Sequence, residues 1–116
     1  MNKIIHIVFL FNILFATQNI VVAELFTATW WVYCPDARAG LQDLDESVQY
    51  FIPLFWEEDG NNPSPNYSSR AAMYEVSGLP HVEFGGYIES VGGGGNMYNT
   101  YLSRYNQIIN LDSPLS

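Results

Sequence analysis

The feature that most constrains the fold is an alternation of short apolar segments with segments of helical periodicity. Residues 24–29 are apolar and β-rich, which is typical of a buried strand. Apolar residues then recur at positions 37, 41, 44 and 48, with acids between them, which predicts a helix. A second apolar run at 50–56 has the length of a strand. Because a helix separates the two strands, we expect them to be parallel, and Pro53 favours an edge position or a bulge in the second.

The second half of the chain predicts a helix, a hairpin and another helix. Residues 57–67 have the Gly, Asn and Pro content of a loop, and Ser68 or Ser69 can cap a short helix over 70–76. Strand 82–84, a two-residue Gly85-Gly86 turn and strand 87–91 form the hairpin. Asn96 can cap the last helix. Its apolar stripe consists of Met97, Tyr98, Tyr101, Leu102, Tyr105, Ile108 and Ile109.

This element order (β-α-β, helix, β-β-α) predicts an α/β fold, with a small central mixed sheet flanked by helices. The length of 116 residues allows one domain. A formal net charge of −8 argues against nucleic-acid binding, which needs a basic surface to meet phosphates. A single cysteine excludes an internal disulfide framework and a cysteine-only zinc site. We predict no metal and no cofactor.

The N-terminal segment has the pattern of a secretory signal peptide. Lys3 precedes an apolar run over 4–16, and a small residue, Ala23, stands at the end. Cleavage is predicted before Glu24, with Ala16 as a second cleavage point. An uncleaved anchor and a buried first strand are the alternatives, although the run is shorter than the about 20 apolar residues of a membrane span. The prediction is therefore a signal peptide at 1–23, a domain at 24–110 and a tail at 111–116, in a secreted or periplasmic protein without an integral membrane span.

Two motifs flank the predicted sheet. Trp30-Trp31-Val32-Tyr33-Cys34-Pro35 follows the first strand and opens the first helix, where Pro35 and Asp36 suit the first turn. Val76-Ser77-Gly78-Leu79-Pro80 precedes the hairpin. Together they resemble the thioredoxin superfamily, with its Trp-Cys-x-x-Cys active site and its Val-x-Gly-x-Pro segment. The first motif is most similar to secreted bacterial thioredoxin-like domains.

The resemblance implies roles for these residues. In the family the first cysteine is the nucleophile, activated at a helix N-terminus, and the second resolves the mixed disulfide. Here Trp31 stands at the nucleophile position and Cys34 at the resolving position. The resemblance also implies that Leu79–Pro80 is cis, and that Trp30, Leu79 and Pro80 contact substrate. An indole cannot form a thiolate, so the sequence predicts impaired dithiol chemistry.

Three functions remain open. The first is a thioredoxin-like domain of the thiol–disulfide oxidoreductase family, degenerate at its nucleophile and acting on protein or peptide thiols and disulfides. The second is a non-catalytic module that binds peptides beside Pro80. The third is a fragment of a longer secreted protein.

Other residues of the sequence have plainer interpretations. Cys34 is interpreted either as a slow monothiol or as a buried, inert one. His81 is interpreted as a surface residue, and a zinc site formed by Cys34 and His81 would lack ligands. The acids at 57–59 are predicted to be solvated, and the glycines at 92–95 to form a flexible connector.

Overall fold

The structure is a computed structural model that describes residues 19–59 and 63–111. Its elements follow the predicted order. They are β1 (Val21–Thr27), α1 (Cys34–Ser47), β2 (Phe51–Glu57), α2 (Tyr67–Met73), β3 (His81–Phe84), β4 (Ile88–Val91) and α3 (Tyr98–Ile109). None of the helices in these described ranges is both long enough and apolar enough to cross a membrane.

The four strands form one mixed sheet in the order β2-β1-β3-β4. β1 and β2 are parallel, as the helical crossover between them predicts. β3 is antiparallel to both β1 and β4. β2 lies at the edge, which is the position that Pro53 indicated. The predicted α/β architecture is therefore confirmed.

The apolar core lies between the sheet and helices α1 and α3. From β1, every second residue, Val21, Ala23 and Leu25, enters this core. The predicted apolar stripe of α3 packs here, with Tyr101 and Tyr105 buried and its other members partly buried. The N-cap of α3 is Met97, without a side-chain cap hydrogen bond, so the prediction that Asn96 caps this helix is wrong. Asn96 Oδ1 accepts a hydrogen bond from Tyr98 N at 3.0 Å, one residue before the N-cap. These contacts fix α1, and with it the end of β1 that leads into α1.

The opposite face of the sheet is covered by aromatic side chains around Phe26. The Phe26 ring stacks on Trp56 at 6.3 Å between centroids and meets the edges of Tyr67 at 5.8 Å and Tyr74 at 6.1 Å. Tyr67 belongs to α2 and Tyr74 follows it directly. Helix α2 is therefore held against the sheet by aromatic packing.

An ion pair between the buried Glu24 carboxylate and the partly exposed Arg70 also joins α2 to β1. Arg70 donates to both carboxylate oxygens of Glu24 at 2.7 Å, and Tyr74 and Trp56 donate to the same carboxylate at 2.9 and 3.0 Å. Burial by itself would raise the pKa of Glu24. The hydrogen bonds from Arg70, Tyr74 and Trp56 outweigh that effect, so the pKa lies below its ordinary value.

The first strand begins earlier than predicted. β1 starts at Val21 rather than at Glu24, and Val21 and Ala23 are fully buried and paired with Phe51 and Phe84. The predicted boundary between 23 and 24 thus falls inside β1. The charged residue Glu24 can lie within β1 because Arg70 neutralises its carboxylate. Most of the predicted signal peptide, residues 1–18, lies outside the described residues, as do residues 112–116 of the predicted tail.

Two local predictions need correction. Helix α2 begins at Tyr67, three residues before the predicted start, and its N-cap is Asn66 in the left-handed conformation with φ of 63°, so the predicted serine cap is wrong. The hairpin turn contains three residues, because β4 begins at Ile88 and Tyr87 lies in the turn. Gly85 and Gly86 have φ of 64° and 67°, which favours glycine at both positions.

Candidate functional site

The candidate site lies where β1 leads into α1. Cys34 is the first residue of α1, Tyr33 is its N-cap, and Pro35 stands in the first turn. Cys34 N donates to Trp31 O at 3.1 Å, so residues 31–34 form a hydrogen-bonded turn. In such a turn the first and fourth Cα atoms lie within about 7 Å of each other. The turn therefore brings Trp31 beside Cys34.

The Cys34 thiol is buried. Only 2% of the residue is exposed, and Sγ accepts a hydrogen bond from Ala28 N at 3.4 Å. Ala28 directly follows β1, so the sulfur is held against the end of the central sheet. This position is that of a small apolar side chain in a core rather than that of an accessible nucleophile.

The residues just before Cys34 form an exposed aromatic cluster. Trp30 is 62% exposed and Trp31 is 38% exposed. The Trp31 ring contacts the edges of Trp30 and Tyr33 at centroid distances of 5.7 and 5.6 Å. We call Trp30, Trp31 and Tyr33 the aromatic cluster. Large amphipathic rings that remain exposed in this way are typical of recognition surfaces.

The second motif meets the first through the glycine connector. Pro80 is buried, its bond to Leu79 is cis, and Pro80 O accepts from Gly92 N at 2.8 Å. A Cβ on Gly93 would lie 3.0 Å from Tyr33 O and 3.1 Å from Pro80 Cγ. Only glycine permits this approach without a shift, so Gly93 packs closely between the two motifs.

An open groove of about 500 Å³ lies beside the aromatic cluster. Its lining includes Trp30 and Trp31 from the aromatic cluster and Val76 to Leu79 from the segment before Pro80. The groove thus brings together two of the three predicted substrate-contacting residues, Trp30 and Leu79, with Trp31 at the predicted nucleophile position. Cys34 and Pro80 do not line it. The remaining lining residues are Glu58, Tyr67 and Ala71.

The tyrosine in this groove is a neutral hydrogen-bonding group. Burial raises the pKa of Tyr67 to about 12, with further contributions from the negative charges of Glu58 and of a Cys34 thiolate. The groove therefore offers a largely apolar, aromatic lining with the hydroxyls of Tyr67 and Ser77 and the carboxylate of Glu58. Such a lining suits an extended polypeptide better than a highly charged ligand.

A second cavity of about 270 Å³ includes Cys34 in its lining. Arg38 and Glu57 line it and form an ion pair, and the Arg38 guanidinium lies 4.6 Å from the centroid of the Phe55 ring. Because Glu57 lies at the end of β2 and is paired, it is not a solvated loop residue as predicted.

Asp59 is also engaged with the site. Its two carboxylate oxygens accept hydrogen bonds from Thr29 N and Thr29 Oγ1, both at 2.9 Å. The acidic segment after β2 therefore holds the residue that precedes the aromatic cluster. This carboxylate–Thr29 contact positions the turn that carries the cluster.

His81 is buried, which corrects its prediction as a surface residue. It lies on β3, an interior strand, and its ring meets the edge of Phe26 at 6.0 Å. Its Nε2 is 2.8 Å from Glu83 Oε1 and 3.7 Å from Glu89 Oε2. The histidine is thus tied to two carboxylates on the α2 side of the sheet.

Comparison with known proteins bears on the fold. No protein-family model matches the chain, and no curated protein matches it. Solved structures do match the chain in fold. Thioredoxin O2 from Arabidopsis thaliana in the oxidised state is 18% identical, with a TM-score of 0.57 over 86% of this chain and 87% of that one. An uncharacterised thioredoxin-like protein from Clostridium perfringens is 13% identical, with a TM-score of 0.61 over 85% and 82%.

The chain has a thioredoxin-like fold. In this fold the site contains three residues that the sequence analysis named but did not place there, namely Gly93, Asp59 and Asp36. Asp36 Oδ2 accepts a hydrogen bond from Gly95 N at 2.9 Å. Runs of glycine and single acids have many structural uses, so their spacing alone could not assign these roles. The sequence did carry one signal for the role of Gly93, because four successive glycines directly follow a predicted strand.

Proposed function

We propose that this protein is an exported thioredoxin-like domain of the thiol–disulfide oxidoreductase kind, impaired in dithiol chemistry at Trp31. The observation that carries the proposal is the turn joining Trp31 to the buried Cys34 at the start of α1. In a dithiol cycle a thiolate attacks a substrate disulfide, and a second thiol then displaces the substrate from the mixed disulfide. The chain has one cysteine, so the second thiol is missing within the molecule.

The position of the remaining thiol supports the same proposal. Cys34 is buried at the resolving position, while the nucleophile position three residues earlier carries the partly exposed indole of Trp31. A thiol that is out of contact with solvent attacks external disulfides slowly. The expected redox activity of the natural protein is therefore negligible, and its partners would be held by contact instead of by a covalent bond.

The groove supports a second candidate, a non-catalytic module that binds extended polypeptides. Trp30 and Trp31 of the aromatic cluster and the segment before Pro80 line it, and both offer apolar surface to a ligand. Exposed tryptophans contribute strongly to protein–protein binding when a partner covers them. An extended segment could also pair with backbone groups near Leu79. This candidate needs no thiol.

An insulin reduction assay tests the first proposal. We compare the natural protein with Trp31→Cys and with Trp31→Cys combined with Cys34→Ser. We expect no turnover from the natural protein, measurable turnover from Trp31→Cys, and trapping of a mixed disulfide without turnover from the double variant. Sustained turnover by the natural protein would show that the degenerate-site proposal is wrong.

A binding assay tests the second candidate without thiols. The probe is an unfolded protein that has been reduced and fully alkylated, and its binding is measured by a change in tryptophan fluorescence. Trp30→Ala should weaken binding about tenfold or more, as loss of an interface tryptophan does. Tyr87→Ala is the matched control, because Tyr87 is 75% exposed and does not line the groove. Equal losses in both variants, or no binding, would contradict the groove as the binding site.

The same proposal includes export, with cleavage after Ala16 as the favoured processing site. Cleavage after Ala23 would remove Val21 to Ala23 from β1, and with them two fully buried residues of the core. Cleavage after Ala16 leaves the strand intact. Intact-mass measurement of the exported protein should give a chain that begins at Thr17. A mass that retains Met1 would contradict export with cleavage.

A further inference from the structure

A cluster of metal-binding side chains lies on β3 and β4, apart from the aromatic cluster and the groove. His81 and Glu83 are two residues apart on β3, so both point to the same face of the sheet. Glu89 on β4 is the register partner of Glu83. His81 and Glu83 at alternate positions of β3, with Glu89 directly across from Glu83, form a compact triangle on this antiparallel pair of strands.

The distances within this triangle suit a small transition-metal ion. One ligand atom from each residue can be chosen so that all three lie within 4.8 Å of one another. A zinc ion bound tetrahedrally at about 2.0–2.2 Å needs ligand atoms roughly 3.3 Å apart. The separations of His81 Nε2 from Glu83 Oε1 and from Glu89 Oε2 are 2.8 and 3.7 Å, one on each side of that value. Movements of about half an ångström would bring these two separations to that value, and the third, between Glu83 and Glu89, lies within 4.8 Å.

The charges on this face favour a cation. Glu83 stands opposite Glu24 on β1 and opposite Glu89 on β4, and carboxylates directly opposite each other destabilise a sheet. Arg70 neutralises Glu24. The Glu83–Glu89 pair has His81 as its basic partner, which can supply at most one positive charge. A divalent ion would neutralise both carboxylates while the imidazole remains neutral and acts as a ligand.

We propose that His81, Glu83 and Glu89 bind a divalent transition metal, with Zn²⁺ as the preferred ion. His81 and Glu83 are buried and held in place by the strand, while Glu89 is 59% exposed and gives the ion access from solvent. An imidazole in the ligand set favours zinc over Ca²⁺ and Mg²⁺, which prefer oxygen ligands alone. Three protein ligands leave a fourth position for water or for a side chain of a partner.

The test uses the full chain, stripped of metal by a chelator and then titrated with Zn²⁺ against a competing chromophoric chelator. We expect one Zn²⁺ per chain, a rise in melting temperature with Zn²⁺, and little response to Ca²⁺ or Mg²⁺. Glu89→Gln should weaken zinc binding at least tenfold, since even the loss of a residue that only supports a ligand costs about 10–100-fold. His81→Gln should abolish binding.

The controls separate this site from other ligands. Glu46→Gln removes an exposed acid on α1, His6→Ala removes the second histidine of the sequence, and Cys34→Ser removes the only thiol. All three should keep the affinity of the natural protein. Absence of zinc binding, binding lost with Cys34 or His6, or full affinity in Glu89→Gln would each overturn the proposal. If His81→Gln does not fold, circular dichroism will reveal it, and the exposed Glu89 variant gives the answer by itself.

Discussion

Gly40 provides a sharp test of how α1 and α3 are packed. It lies in α1, where Ala usually stabilises a helix relative to Gly. A Cβ built on Gly40 would lie 2.8 Å from Met97 Cβ, and 2.9 and 3.0 Å from two ring carbons of Tyr101. The substitution Gly40→Ala therefore sets a favourable backbone effect against a steric clash.

The clash should be the larger effect. Ala in place of Gly gains about 1 kcal/mol of helix stability, whereas overpacking a core costs typically about 1–3 kcal/mol. Met97 Cβ cannot rotate away because it is attached to the backbone at the start of α3, and the Tyr101 ring is fully buried. Relief requires that the two helices move apart. We therefore expect Gly40→Ala to lower the free energy of unfolding by up to about 2 kcal/mol, which is the cost of overpacking less the gain in helix stability.

Urea unfolding measures this change, with Ala39→Gly as the matched control. Ala39 is exposed and lies next to Gly40 in the same helix, so its replacement reports the backbone effect without the clash. Ala39→Gly should lower the free energy of unfolding by up to about 1 kcal/mol. If Gly40→Ala is instead more stable than the natural protein by a similar amount, the close packing of α1 on α3 is refuted.

Three further predictions concern stability. Arg70→Met should lower the free energy of unfolding by about 3 kcal/mol, because it leaves the Glu24 carboxylate buried without its cation; a change near zero in urea unfolding would contradict this. Because the pKa of Glu24 is lowered from 4.5 on folding, its ionised carboxylate adds to the free energy of unfolding above that pH. This added stability is lost as the pH falls through the lower pKa of the folded state. Acid titration of the unfolding free energy should show a smaller loss in Glu24→Gln than in the natural protein, and equal losses would refute the assignment. Gly93→Val should cost about 1–3 kcal/mol, whereas Gly78→Ala, whose Cβ would have only an ordinary contact at 3.8 Å, should be nearly neutral in thermal unfolding.

The sequence predicts the architecture well because periodicity is a local property. The crossover helix implies parallel β1 and β2, Pro53 implies an edge strand, and the apolar stripe of α3 implies its packing face. Each of these inferences depends on residues that are close together in the chain. Local patterns therefore settle the order, direction and inner faces of the elements.

The errors arise where distant residues decide the outcome. Glu24 looked like the first residue after a signal peptide, but Arg70, 46 residues away, allows it to be buried within β1. His81 looked like a surface residue, but the hairpin register places it beside Glu89. The first contact joins α2 to β1 and the second joins β3 to β4. No local pattern in the sequence indicates either contact.

The central claim is that Trp31 occupies the place of a first thiol beside Cys34. Intact mass spectrometry of Trp31→Cys, purified without reductant and alkylated after denaturation, tests this directly. The hydrogen-bonded turn places residues 31 and 34 at a separation compatible with a disulfide, which needs Cα atoms about 4.4–6.8 Å apart. We predict a monomer that has lost two hydrogens and takes up no alkyl group. A folded Trp31→Cys monomer with two alkylated thiols would contradict the claim.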